Sequence, residues 1–242
     1  MKRILLAMLL VAGCSFSTLT PVSAQEEKSS GVPEPELVTS SWMLTFTYDT
    51  PRTIAIEMPD GSTQWYWYMT YQVLNDPRIR NNNRESILFI PDIIIADDRG
   101  GIQHANRNIS PRVFPAIKRL LRNDLLESPA QVPGNMLPGE DYIKESVAIW
   151  PVSEDDVDEF TVFIAGIYGE TCTIPHPVTG EPMTEPVTNP RTGEPVLNAD
   201  GEPETRPIYL RRNRMLRFST PGTIRNPQRQ SIRLEEETDV MR

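Results

Sequence analysis

From Trp42 onward, apolar and polar residues alternate in short runs divided by turn signals. In WMLTFTYD, Trp42, Leu44, Phe46 and Tyr48 share one parity, while Met43, Thr45 and Thr47 share the other. That two-residue period predicts a half-buried strand. RTIAIEM repeats it through Ile54 and Ile56, and PDGS at Pro59–Ser62 carries the Asp-Gly signal of a hairpin. The longest run is QWYWYMTYQVLN, with Trp65, Trp67, Met69, Tyr71 and Val73 on one side and Tyr66 and Tyr68 on the other. After the loop PRIRNNNRES, ILFIPDIIIADD is apolar almost throughout, as a central strand would be, and Pro91 requires a break or bulge within it. YIKESVAIWP and FTVFIAGIY supply two more strands, joined by the acidic segment VSEDDVDE.

One stretch departs from this period. SPRVFPAIKRLLRNDLLES places Ile117, Leu120, Leu121 and Leu125 at helical spacing, with Pro115 in the first turn and Lys118, Arg119 and Arg122 on a solvent side. The pattern therefore predicts a mainly β, antiparallel sandwich with one short helix at Pro115–Glu127.

Residues 171–205 read as a long polar hairpin inserted between two core strands. Gly-Glu-Pro recurs at Gly180–Pro182, Gly193–Pro195 and Gly201–Pro203. The spacing is irregular, and the units lack the apolar residues that stacked repeats bury against one another. Gly after Thr or Asp suits turns, and each Pro biases the residue before it to extended backbone. Asn198–Glu202 only half resembles a calcium loop, because no closing acid follows.

RPIYLRRNRMLRF comes next. Ile208, Leu210, Leu216 and Phe218 share a parity that Arg212 and Arg214 interrupt. Arg206, Arg211, Arg212, Arg214 and Arg217 form either an anion site or an edge strand whose arginines pair with the acidic turns and discourage association. The acidic remainder of the chain favours the edge strand. Residues 219–242 show no strong period and read as a tail.

The N-terminus reads as a targeting segment. MKR, the apolar ILLAMLLVAG and VSA before Gln25 make a signal peptide of residues 1–24, too short to span a bilayer as a helix. VAGC at Val11–Cys14 also reads as a lipobox, so lipidation of Cys14, with the membrane tether it brings, stands beside cleavage after Ala24. Residues 25–40 form an acidic linker, and the folded domain spans residues 41–218.

The formal charge of −9, two units more negative once Lys2 and Arg3 are removed, disfavours nucleic acid and anionic lipid as partners. A mature chain would keep Cys172 alone, a small buried apolar residue with no disulfide to make. His104 and His176 share no metal-ligand spacing, and no nucleophile elbow, phosphate loop or Cys-x-x-Cys is present. Neither catalytic residues, cofactor nor metal are expected.

YWYMTYQVLND, IIIADDRGG and LPGEDYIKESVAIWP follow the layout of uncharacterised immunoglobulin-like domains of exported bacterial proteins, which this chain resembles over about residues 42–168. The resemblance implies an immunoglobulin-like sandwich and carries no catalytic residues. The reading is a non-enzymatic protein of the periplasm or cell surface, with a structural or interaction role toward an envelope protein or polysaccharide. The alternative is a carbohydrate-binding module gripping sugar rings with exposed Tyr66 and Tyr68, which burial of that pair would remove. A hydrolase built on two acids from separate strands is a third reading.

Overall fold

Turn residues cut the alternating runs into the strands of the computed structural model, which describes residues 36–38, 42–79, 85–153, 157–220 and 231–242. All of these belong to one compact unit, Pro33–Arg242. The signal segment, Cys14 and most of the linker lie outside the described residues.

In chain order the strands are β1 (Glu36–Val38), β2 (Thr45–Tyr48), β3 (Arg52–Glu57), β4 (Thr63–Leu74), β5 (Ile87–Phe89), β6 (Asp92–Asp97) and β7 (Ile102–His104). Helix α1 (Val113–Leu121) follows, then β8 (Gly134–Met136), a 3-10 turn at Glu140–Tyr142, β9 (Lys144–Pro151) and β10 (Glu159–Ala165). After these come β11 (Thr171–Thr173), β12 (Thr184–Pro186), β13 (Thr205–Pro207), β14 (Tyr209–Ser219) and β15 (Arg233–Met241).

The larger sheet runs β1-β11-β14-β10-β6-β7, with β15 on the other side of β14. In the smaller sheet β4 is central, with β2 and β3 pairing successive halves of one side and β9 the other. The sheets pack face to face, so the fold is a mainly β sandwich. The core between them holds Trp67, Met69 and Trp150 from the smaller sheet against Phe160, Val162 and Phe218 from the larger. Trp67 and Phe160 lie 5.0 Å apart, and Phe160 and Phe218 5.2 Å. These spacings are those of favourable aromatic pairs.

A second core lies on the opposite face of the smaller sheet, where Ile56, Tyr66, Tyr68, Val147 and Ile149 are covered by Val113, Ile117 and Leu126. The molecule thus has a third layer. The helix is shorter than its sequence pattern, because Arg122 turns left-handed at φ 51° and closes it. Leu120, expected on the apolar face, lies within the helix but away from its buried Val113 and Ile117 and is 58% exposed; Leu125, past the helix end, is 84% exposed, and Leu126 takes the buried position.

Pro91 breaks its apolar run as expected, and the break moves the chain between sheets: β5 pairs with β8, whereas β6 joins β10. Gly166 permits this crossing. Its φ is +89°, and a Cβ there would come within 2.3 Å of the Ile90 carbonyl oxygen.

Two expectations about the ends of the domain are corrected. Residues 233–241, read as part of a tail, form a strand that pairs with β14 from Arg212↔Met241 to Ser219↔Arg233, with a bulge at Arg217/Phe218. β14 is consequently an inner strand rather than an edge. Residues 36–38, placed in the linker, pair with β11.

Candidate functional site

Tyr66 and Tyr68 sit on the opposite face of β4 from Trp67, and both faces are covered. Trp67 is 4% exposed in the inter-sheet core, while Tyr66 and Tyr68 are 1% and 4% exposed beneath the helix layer. Trp65, at the strand's outer end, is half-buried. The Tyr66 hydroxyl donates to Gln64 Oε1 at 2.7 Å, and burial raises the pKa of both phenols. An aromatic platform for sugar rings must be open, so this pair does not make one. The amphipathic packing of the helix, which a strand's own period does not reveal, closes that face.

Arg212, Arg214 and Arg217 of the arginine-rich strand carry a charged network. Arg212 and Arg214 share the inward parity of Leu216 and Phe218 at the end of the sandwich, where Tyr168 fills the core. Arg212 bonds Glu170 and Asp239, each at 2.7 Å, and its guanidinium lies 4.5 Å over the Tyr168 ring. Arg214 donates to the Tyr168 hydroxyl at 2.7 Å, and that hydroxyl donates to Asp239 at 2.9 Å. Arg217 pairs with Glu236 at 3.0 Å, and Arg206 with Glu185 at 2.7 Å. Of the five arginines expected to pair with acids, Arg206, Arg212, Arg214 and Arg217 do so and Arg211 does not among the described residues, and the partners differ from the acidic turns expected. Most come from β15, whose RLEEETDVM lacks an apolar period because it faces arginines.

The excursion between β11 and β14 is the most sharply defined surface feature. It reverses three times, and each reversal uses one Gly-Glu-Pro. Asn189 N–H donates to the Glu194 carbonyl at 2.8 Å, Gly193 N–H donates back to the Asn189 carbonyl at 2.8 Å, and the Asn189 side chain accepts from Arg191 N–H at 2.9 Å. His176 and Asn198 occupy the equivalent position in the other two tips, with Gly180 and Gly201 donating to their carbonyls at 2.9 and 3.1 Å. The three glycines have φ of +74°, +73° and +81°, where a side chain would be strained. The repeats therefore encode a repeated turn, not a repeated fold.

Between the tips the backbone is knitted together by β12 and β13 and by bonds such as Val196 N–H to the Val187 carbonyl at 2.8 Å. The side chains are solvated: Val178 is 85% and Leu197 59% exposed. His176 is thus a turn residue whose Nδ1 accepts from the Val178 and Thr179 N–H groups. His104 bonds Asp92 at 2.7 Å. Cys172 is fully buried, and burial pushes its thiol up.

Two carboxylates, Asp49 and Glu145, line one polar dent of about 160 Å³. Each has a structural partner: Asp49 accepts from Thr70 at 2.5 Å and Glu145 from Asn123 at 2.8 Å. The dent is smaller than the roughly 300 Å³ at which small-molecule sites begin. Among the described residues no three metal-ligating side chains converge. Comparisons of the chain with protein-family models, curated proteins and solved structures return no match.

Proposed function

We propose that the chain is an exported, non-enzymatic interaction module of the cell envelope, in which residues 174–208 form a contact arm and the sandwich is its mount. The observation that carries this reading is the arm's self-made shape. Its side chains bury little, yet three side-chain-capped turns and a backbone ladder hold three tips in solvent. A connection between β11 and β14 needs none of this, since closing a loop depends only weakly on its length. Pre-shaping lowers the ordering cost of binding and leaves Val178 and Leu197 free to meet a partner. The signal segment supports export, and the resemblance to immunoglobulin-like exported domains fits an interaction or structural role.

The test replaces residues 175–206 with a tight turn. The shortened chain should melt in one cooperative transition, and an envelope protein that cross-links to the full chain should no longer cross-link to it. Undiminished cross-linking to the same protein would refute the arm's role. Intact-mass analysis of the exported product tests the compartment: a chain starting at Gln25, or a lipidated Cys14, supports export, and an unprocessed Met1 opposes it.

A further inference from the structure

The outward face of the larger sheet holds three arginines that the charged network leaves out. Phe163 stands opposite Ile94 on one side and Met215 on the other, forming a half-buried apolar row across β6, β10 and β14. In β14 the parity of Met215 continues through Asn213 to Arg211. Arg211 lies directly opposite Arg242, each backbone N–H donating to the other's carbonyl at 2.8 and 3.0 Å. Residues paired in this way project to the same face, so the two arginines are cross-strand neighbours. Arg242 lies 4.4 Å over the Phe163 ring. Arg107, from the loop after β7, joins them around a shallow cavity of about 520 Å³ whose apolar floor includes Pro91, Ile94 and Ala165.

Like charges directly opposite on adjacent strands are destabilising. Elsewhere on β14 the problem is solved with carboxylates, which pair with Arg212, Arg214 and Arg217. Arg107, Arg211 and Arg242 make no ion pair among the described residues. The one acidic side chain lining the cavity, Asp92, is bonded to His104. The chain has 33 acidic residues against 24 Lys and Arg, so acidic side chains are plentiful. Three arginines without an ion pair amid that surplus are a local departure from good sheet design, of the kind expected at functional or strained sites.

We propose that this cavity binds a small organic anion bearing two or more carboxylate or phosphate groups on a compact carbon frame. Guanidinium forks match both kinds of oxyanion, three of them favour more than one anionic group, and the apolar floor suits carbon rather than a bare inorganic ion. The site is separate from the arm and independent of its role.

Calorimetric titration of the full chain at constant ionic strength, with citrate, with fructose 1,6-bisphosphate and with neutral fructose, tests this. Saturable one-site binding is expected for at least one polyanion and not for fructose; which polyanion binds separates carboxylate from phosphate. Arg107→Gln and Arg211→Gln should each weaken binding by about tenfold or more, the scale of a lost charge-assisted hydrogen bond, whereas Arg206→Gln on the arm should not. A second readout is stability. Arg211→Gln should hold or raise the melting temperature at low salt, because it relieves repulsion. Absence of saturable binding by both polyanions, or equal loss in Arg206→Gln, overturns the proposal.

Discussion

Truncating Tyr66 and Trp67 one at a time tests whether a single strand is buried on both of its faces. In a two-layer sandwich one of two successive residues on β4 would face water, and its removal would cost little. Here Trp67 is 4% exposed and packs 5.0 Å from Phe160, while Tyr66 is 1% exposed beneath Val113 and Ile117. Each loses a fully buried aromatic, so Trp67→Ala and Tyr66→Ala should both cost about 3–5 kcal/mol, from lost transfer energy and the cavity left behind. The Trp67 cost should fall at the upper end, since the lost aromatic pairing with Phe160 adds roughly 0.5–1.5 kcal/mol. Tyr66→Phe removes the hydroxyl's bonds to Gln64 and to the Ser110 backbone and should cost about 0.5–1.5 kcal/mol for each. Equilibrium urea unfolding measures all three, with an unchanged m-value as the check that the midpoint shift reports stability. A domain of ordinary stability, about 5–15 kcal/mol, should survive either truncation with a visibly lowered midpoint. A cost below about 1 kcal/mol for either alanine variant would show that its face is open and that the third layer does not cover β4.

The charged network and the buried phenols give two further expectations. Asp239→Ala removes the carboxylate shared by Arg212, Arg214 and Tyr168 and leaves the two arginines with Glu170 and Glu237 alone. With the Asp239 side chain 28% exposed, this should cost about 1–3 kcal/mol, less than a fully buried pair, while Glu236→Ala at the exposed Arg217 pair should cost below about 1 kcal/mol. Equal costs in thermal melts would oppose that ranking. Burial pushes the Tyr71 phenol up to about 12, and burial with the Glu237 bond does the same for Tyr48. Both phenols are neutral when protonated, so above about pH 10 the unfolded chain loses these protons first. Stability should therefore be full below about pH 10 and fall toward pH 12, and Tyr71→Phe should flatten that decline in alkaline denaturation curves. An identical decline in the variant would assign the effect elsewhere.

Alternation from Trp42 to Tyr168 determined that this chain is mainly β, because the two-residue period is written locally and needs no partner to be read. The arm's turns were legible for the same reason: Gly after Thr or Asp, followed by Pro, acts within a few residues. Pro91 likewise announced a break, though not that the chain would change sheets there, since that depends on Gly166 admitting the Ile90 carbonyl. What lay beyond the sequence was pairing. β15 showed no apolar period because its acids answer the arginines of β14, a complement visible only once the strands are side by side. Tyr66 and Tyr68 had the same difficulty, as no period within β4 tells whether a distant helix covers them. Arg211 and Arg242 lie 31 positions apart in the chain yet become direct neighbours, because antiparallel register, a property of two strands together, decides which charges meet.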